Sequence, residues 1–164
     1  IERRPTHLNK IVEDTLEVMQ ERLRRHRIAL KMELSQSLPQ ADVDPDQMGQ
    51  VVLNLAINAL HAMGNDGTLL IRTARTPVGQ GSAAEGREMI ELSVTDTGHG
   101  IPPEDLDKIF NPFFTTKEVG KGTGLGLTVV HGIVLEHDGQ IKVESETQRG
   151  TTFRILLPIA AVRS

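Results

Sequence analysis

The sequence predicts a single domain of the α/β class, in which helices alternate with short strands. Its length of 164 residues is ordinary for one domain and allows a sizeable core to be buried. Apolar residues recur at helical spacing in three segments and alternate with polar residues in several shorter ones. Six of the 15 glycines lie between residues 98 and 126, where the chain changes character.

The chain begins with a predicted helix followed by two predicted strands. Apolar side chains repeat at helical spacing over residues 6–25, with charged residues between them. The alternation of Ile28, Leu30, Met32 and Leu34 predicts a strand, which Pro39 ends. Val43 belongs to a second, shorter strand.

A second helix is predicted over residues 45–63, because Asp44 can cap its amino end and Pro45 suits its first turn. From residue 51 onward every position is apolar apart from a narrow polar stripe within an arc of about 80°. The stripe consists of Gln50, Asn54, Asn58 and His61. Buried amides need partners, which are either neighbouring backbone groups or a ligand such as a hydrated Mg²⁺ with phosphate.

The remaining strands are predicted as two hairpins. Residues 68–73 and 89–95 pair across a Gly-, Ser- and Ala-rich loop at 77–88. Residues 141–145 and 151–157 pair across the turn at 148–150. A third helix over 125–137 precedes the second hairpin.

Composition excludes several classes of function. A net charge of −4 and a pI near 5.9 argue against nucleic acid as the main partner. The absence of cysteine excludes disulfides, thiol catalysis and zinc–thiolate sites. No stretch is long and apolar enough to predict a membrane span. Because the chain opens with Ile1 rather than Met, we expect it to be a fragment of a longer protein.

Two glycine-rich motifs indicate a flat or phosphorylated ligand. Asp96-Thr-Gly98-His-Gly100-Ile101 follows a strand, so its carboxylate either caps the turn or accepts a hydrogen bond from an amino group such as that of adenine. The run Gly120–Leu127 leads into a helix, where free backbone N–H groups suit phosphate. It matches neither a P-loop nor the dinucleotide-binding fingerprint.

A third motif lies between these two glycine-rich runs. Three of the four phenylalanines, Phe110, Phe113 and Phe114, lie within five residues of each other. They either fill a gap in the core or anchor the base of a hinged lid. Lys117 and Lys121 are cations that could approach phosphate from that lid.

Together these segments resemble the ATP-binding catalytic domain of sensor histidine kinases, in the gyrase, heat-shock-chaperone and MutL ATPase superfamily. The resemblance covers nearly the whole chain and rests on five motifs in order. Asn54–Ala59 is similar to the N box, Asp96–Gly100 to the G1 box, Phe110–Lys117 to the F box, Gly122–Leu127 to the G2 box and Gly150–Phe153 to the last glycine box.

The resemblance implies a two-layer sandwich, with about three helices on one face of a mixed sheet and an ATP lid at about 98–126. It implies ATP and Mg²⁺ as cofactors. Asn58 would coordinate the Mg²⁺, and Asp96 would accept from the adenine amino group with Thr151 or Thr152 supporting it through water. Asn54 and Lys117 are the candidate catalytic residues, near the phosphates. The other nucleotide-binding candidates are His61, Ala62, Gly98, Gly100, Ile101, Phe110, Thr115, Thr116, Lys121, Gly122, Thr123, Gly124, Leu125, Gly126 and Leu127.

Two features of the sequence bear on the reaction that the resemblance implies. Hydrolytic relatives carry a water-activating Glu at the position of Asn54, and an amide is a poor general base. We therefore expect the site to transfer the γ-phosphoryl group rather than hydrolyse ATP. None of the six histidines has a His-Glu/Asp-x-x-x-Pro setting, so the acceptor histidine is expected on a separate dimerisation domain.

The expected partners follow from this resemblance: ATP, the histidine-bearing dimerisation domain and, indirectly, a response regulator. We expect a cytoplasmic domain that is monomeric alone and part of a homodimer in the full protein. The alternatives are a non-catalytic nucleotide-binding regulatory module, and an ATPase or Ser/Thr kinase of the same superfamily.

Overall fold

The computed structural model describes residues 1–76, 88–111 and 126–161. Within these ranges helices and strands alternate along the chain. Their order is β1 (Arg4–Thr6), α1 (Leu8–Arg25), β2 (Ile28–Leu34), β3 (Ala41–Val43), α2 (Pro45–Met63), β4 (Gly67–Arg75), β5 (Met89–Asp96), α3 (Gly126–Glu136), β6 (Gln140–Glu146) and β7 (Gly150–Pro158).

The larger sheet has five strands in the order β2-β4-β5-β7-β6. The β2–β4 pair is parallel and the other three pairs are antiparallel, so the sheet is mixed, as expected. β1 and β3 form a separate antiparallel pair. The two strands nearest the candidate site, β5 and β7, are neighbours near the middle of the larger sheet.

The core lies between one face of this sheet and the three helices, with α2 packed against both α1 and α3. Every second residue of the central strands is buried in that core, as the period of two requires. The buried strand residues are Leu69 and Ile71 on β4, Ile90, Leu92 and Val94 on β5, and Phe153, Ile155 and Leu157 on β7. The opposite face carries ion pairs such as those of Arg154 with Glu91 and Glu144. This is the two-layer sandwich that the resemblance implies.

The predicted elements are found with shifts of no more than two residues at their ends. The first helix starts at Leu8 rather than at residue 6, because Arg4–Thr6 forms a strand that the apolar pattern did not predict. That strand is stabilised by pairing with β3, which is distant in sequence. Three residues are too few to show the alternation of apolar and polar side chains that predicts a strand. The predicted loop at 77–88 lies almost wholly outside the described residues. No helix in the described part is both long and apolar enough to cross a bilayer.

Candidate nucleotide site

The polar stripe of α2 lies on a helix whose opposite face is buried in the core. The start of the helix is as predicted: the Asp44 carboxylate accepts from the backbone N–H groups of Asp46 and Gln47 at 3.0 and 3.3 Å. Asn54 and Asn58 share a face and are half-buried, as are the adjacent Leu53 and Ile57, while Leu55, Ala56 and Ala59 are buried. In the described part of the chain neither amide has a hydrogen-bond partner. Within the described residues, neighbouring backbone therefore does not satisfy these amides, which leaves solvent or a ligand as their partner.

Helix α3 brings its amino end to this stripe. His137, directly after α3, is fully buried and accepts a hydrogen bond through Nε2 from the backbone N–H of Asp44 at 3.0 Å. The carboxyl end of α3 therefore lies at the amino end of α2, and because the two helices pack together, α3 runs back along α2. Its 11 residues span about 16 Å, which carries Gly126 to the level of Asn54 and Asn58. The amino end of α3 carries the positive end of the helix dipole, which suits phosphate.

Asp96 is the last residue of β5 and is only 3% exposed. Its Oδ1 accepts a hydrogen bond from the Gly98 backbone N–H at 2.8 Å, and the Thr151 backbone amide also stabilises the carboxylate. Burial nevertheless dominates and raises the pKa of Asp96 above its ordinary value. A carboxylate has about four lone-pair positions, so Asp96 retains capacity to accept a further hydrogen bond from a ligand.

Glycines allow three backbone segments to meet around Asp96. A Cβ on Gly98 would lie 2.6 Å from the carbonyl carbon and oxygen of Ala62, near the end of α2. Gly100 and Gly150 have φ of +76° and +126°, and a Cβ on either would collide with backbone oxygen at 2.2 or 2.0 Å. The His99 N–H also donates to the Ala62 carbonyl at 3.2 Å. The loop after β5 is thus fixed both to the end of α2 and to the β6–β7 turn.

The structure distinguishes the two threonines that were proposed beside the adenine. Thr151 pairs with Asp96 in the β5–β7 ladder, is buried, and shares its face of the sheet. Thr152 lies on the opposite face, where its hydroxyl is 2.9 Å from that of Thr95. The register therefore favours Thr151 over Thr152 beside Asp96, because neighbouring residues of a strand point to opposite sides.

Phe110 is placed at the edge of the site by α3. Its ring stacks on that of His131 with centroids 4.8 Å apart, and its carbonyl accepts from the Thr128 hydroxyl at 3.0 Å. The aromatic cluster was predicted either to fill the core or to anchor a lid. Phe110 packs against the core cluster, while Phe113 and Phe114 lie outside the described residues.

Several predicted site residues can be located and others cannot. His61 is exposed and Ala62 half-buried in the last turn of α2, Ile101 follows the loop after β5, and Gly126 and Leu127 open α3. Eight candidates fall outside the described residues: Thr115, Thr116, Lys117, Lys121, Gly122, Thr123, Gly124 and Leu125. The sequence analysis missed Ser145, whose hydroxyl contacts Thr151 at 2.8 Å. The pairing of β6 with β7 places these two residues opposite each other, with the turn one residue earlier than the predicted 148–150.

Comparison with known proteins places this site in a family. Residues 43–161 match the family described as histidine kinase-, DNA gyrase B- and HSP90-like ATPase. The chain belongs to this family. The match begins just before α2 and ends just after β7, so it includes every described residue assigned to the site.

Similar proteins include the sensor histidine kinase ZraS of Escherichia coli (strain K12), 38% identical over 98% of this chain and 33% of ZraS. The chain therefore spans about a third of the length of such curated relatives. The catalytic domain of histidine kinase ThkA, nucleotide-free, is 29% identical with a TM-score of 0.82, covering 97% of both chains. Full-length ShkA in complex with AMPPNP is 26% identical with a TM-score of 0.83, covering all of this chain and 32% of ShkA.

Proposed function

We propose that this domain binds ATP with Mg²⁺ and transfers the γ-phosphoryl group to a histidine on a separate dimerisation domain, as the kinase part of a two-component system. The observation that carries the proposal is the pair of half-buried amides, Asn54 and Asn58, on the helix that packs against α3. Near the carboxyl end of α2, the buried carboxylate of Asp96 provides a hydrogen-bond acceptor for the amino group of a nucleotide base. From Asn54 to Ala62 the helix rises about 12 Å, which is comparable with the reach of a nucleotide from its phosphates to its base.

The donor set on α2 fits Mg²⁺ bound together with a triphosphate. Mg²⁺ keeps several waters and is usually held by one or two protein oxygens plus phosphate oxygens. The Asn58 amide oxygen is a hard ligand of this kind, and within the described residues its amide has no other partner. When bound, the ion neutralises charge on the phosphates. The protein itself orients the chain of phosphates along α2 and excludes water from the buried base.

The residue types at the site favour transfer over hydrolysis. Asn54, which lies near the phosphates in this proposal, carries an amide, and an amide does not accept a proton near neutral pH. His137, the buried histidine of the described residues, is not the phosphoryl acceptor, because both of its ring nitrogens already form hydrogen bonds. Nδ1 lies 2.8 Å from the Ile133 carbonyl oxygen, and Nε2 accepts from the Asp44 backbone N–H. Phosphoryl transfer relies mainly on positioning and charge neutralisation, which this site supplies.

The proposed partners are ATP, the histidine-bearing dimerisation domain and, through it, a response regulator. ThkA has been solved in complex with the response regulator TrrA, and that structure is 25% identical with a TM-score of 0.75, covering 96% of this chain and 42% of ThkA. The proposal includes a cytoplasmic location and a homodimeric full-length protein. Within it, Lys117 approaches the γ-phosphate and the N–H groups of Gly124, Leu125 and Gly126 hold the phosphates.

The test combines the chain with the histidine hairpin of the dimerisation domain from the same full-length protein and with ATP labelled at the γ-phosphate. We expect acid-labile, base-stable label on the hairpin. Nucleotide binding without label on the cognate hairpin would favour the regulatory module, and acid-stable label would favour a Ser/Thr kinase. Failure of ATP to bind at all would refute the proposal.

The role of Asn54 is tested separately with Asn54→Asp, because a carboxylate in place of the amide is a candidate general base. Transfer should fall, since negative charge is added beside the phosphates. Gln20→Glu, the same chemical change on the exposed surface of α1, is the control and should leave transfer unchanged. Undiminished transfer by Asn54→Asp, with no rise in ATP hydrolysis, would contradict the proposed use of an amide at this position.

A further inference from the structure

A cluster of hydroxyl and backbone groups supports Thr151 from the side away from Asp96. Its centre is Ser145, half-buried on β6 directly opposite Thr151 in the ladder. The Ser145 Oγ accepts a hydrogen bond from the Ile101 backbone N–H at 2.7 Å. It also lies 3.0 Å from the Gly150 carbonyl oxygen and 2.8 Å from the Thr151 hydroxyl.

Counting donors fixes the direction of these hydrogen bonds. A serine hydroxyl has one proton and two lone pairs. The Gly150 carbonyl can only accept, so the Ser145 proton is used there, and the Ile101 N–H takes one lone pair. The contact with Thr151 is then a hydrogen bond only if Thr151 donates to the second lone pair. All three contacts are satisfied together in this arrangement alone.

The Thr151 hydroxyl therefore donates its hydrogen bond to the Ser145 Oγ. Toward Asp96 the Thr151 oxygen offers only lone pairs, and the Asp96 carboxylate also only accepts. Asp96 and Thr151 are paired in the β5–β7 ladder, so the side-chain oxygens that they present to the site form a wall of hydrogen-bond acceptors. An acceptor wall favours a ligand that presents an amino group and disfavours one that presents a carbonyl oxygen.

We propose that Ser145 is a positioning residue that makes the base site select adenine over guanine. This inference rests on the proposed function, since it concerns the base of the bound nucleotide. Adenine carries an exocyclic amino donor where guanine carries a carbonyl acceptor. Without the Ser145 hydroxyl, the Thr151 proton is released. It can then donate to the guanine carbonyl or compete for the Asp96 carboxylate, and either change lowers the preference for adenine.

The experiment measures the dissociation constants of MgATP and MgGTP by calorimetry or competition for the wild-type chain and for Ser145→Ala. We expect the ratio of the GTP to the ATP constant to fall about fivefold, the effect of one hydrogen bond. Ser145→Thr restores the hydroxyl and should keep the wild-type ratio. Thr95→Val breaks the other cross-strand hydroxyl pair, on the opposite face, and should also keep it.

Three results separate this inference from the proposed function. An equal loss of affinity for both nucleotides in Ser145→Ala, or an unchanged ratio, overturns the role of Ser145 while leaving ATP binding intact. A wild-type chain that binds no ATP overturns both. If Ser145→Ala does not fold, as judged by circular dichroism, Ser145→Cys keeps the shape of the side chain with a weaker donor and acceptor. An unchanged ratio in that variant overturns the inference equally.

Discussion

Replacing Asp96 with Asn should separate binding from stability, because the carboxylate is useful to a ligand but unfavourable to the fold. The amide oxygen can keep the hydrogen bond from the Gly98 N–H that the carboxylate accepts at 2.8 Å. The loop after β5 therefore retains its main contact. The second oxygen becomes an NH₂ group, which meets the amino group of a bound adenine donor to donor.

The size of the binding loss follows from the lost hydrogen bond. A hydrogen bond to a charged group contributes about 1.5–3 kcal/mol, so ATP affinity should fall about ten- to a hundredfold. Stability should change in the opposite direction. Burial raises the pKa of Asp96, so the folded protein disfavours the charged form relative to a neutral one. The free energy of unfolding of Asp96→Asn at neutral pH should equal or exceed that of the wild type.

The pH dependence has a definite sign. Because the pKa of Asp96 is higher in the folded state, the folded wild type takes up a proton before the unfolded chain does. The contribution of Asp96 to the free energy of unfolding is therefore lowest at neutral pH. It recovers as the pH falls through the raised pKa toward the ordinary value of about 3.9. The amount by which the free energy of unfolding of Asp96→Asn exceeds that of the wild type should shrink over the same pH range.

Urea unfolding at several pH values, with calorimetric titration of MgATP, measures both quantities. Glu17→Gln removes an exposed carboxylate from α1 and should change neither the affinity nor the pH profile of this site. A variant that binds ATP as tightly as the wild type would refute the assignment of Asp96. A variant markedly less stable than the wild type at neutral pH would refute the argument from burial.

Three further substitutions, two of them with a matched control, test the scaffold and the proposed metal site. Asn58→Ala should abolish most of the Mg²⁺-dependent part of ATP affinity, measured by titration with and without the ion, whereas Asn65→Ala should not. Gly98→Ala places a Cβ 2.6 Å from the Ala62 carbonyl and should destabilise the chain by about 1–3 kcal/mol in thermal unfolding. Gly132→Ala, where a Cβ meets nothing within 4 Å, should be neutral or stabilising by up to about 1 kcal/mol. His137→Leu should cost about 1–3 kcal/mol by leaving the Asp44 N–H without its acceptor, and an unchanged urea midpoint would contradict that.

Local sequence signals were sufficient for α2 and its amides. Its apolar pattern, the Asp44 cap and Pro45 act within a few residues, so no tertiary knowledge is needed to locate them. The motif around Asp96 was recognised for the same reason. The structure confirms that these two elements meet, through the contact of Gly98 with Ala62.

Tertiary register was what the sequence analysis could not supply. The choice between Thr151 and Thr152 depends on which of them faces Asp96, and this is decided by the pairing of β5 with β7. Ser145 enters only through the pairing of β6 with β7. β1 was missed because three residues that include Pro5 carry no strand pattern, and their pairing partner lies over 30 residues away.

The fixed position of α2 explains how an uncharged stripe can serve as a binding site. One end of the helix is held by the Asp44 cap and by the buried His137, and the other by the loop at Gly98 and His99. A single amide contributes little affinity unless it is already in place, because ordering a side chain opposes binding. With both ends anchored, Asn54 and Asn58 keep a constant distance from Asp96 before any ligand arrives. Loosening either anchor should therefore weaken nucleotide binding even where no ligand contact is removed. His137→Leu, which lies outside the nucleotide site, should reduce ATP affinity as well as stability.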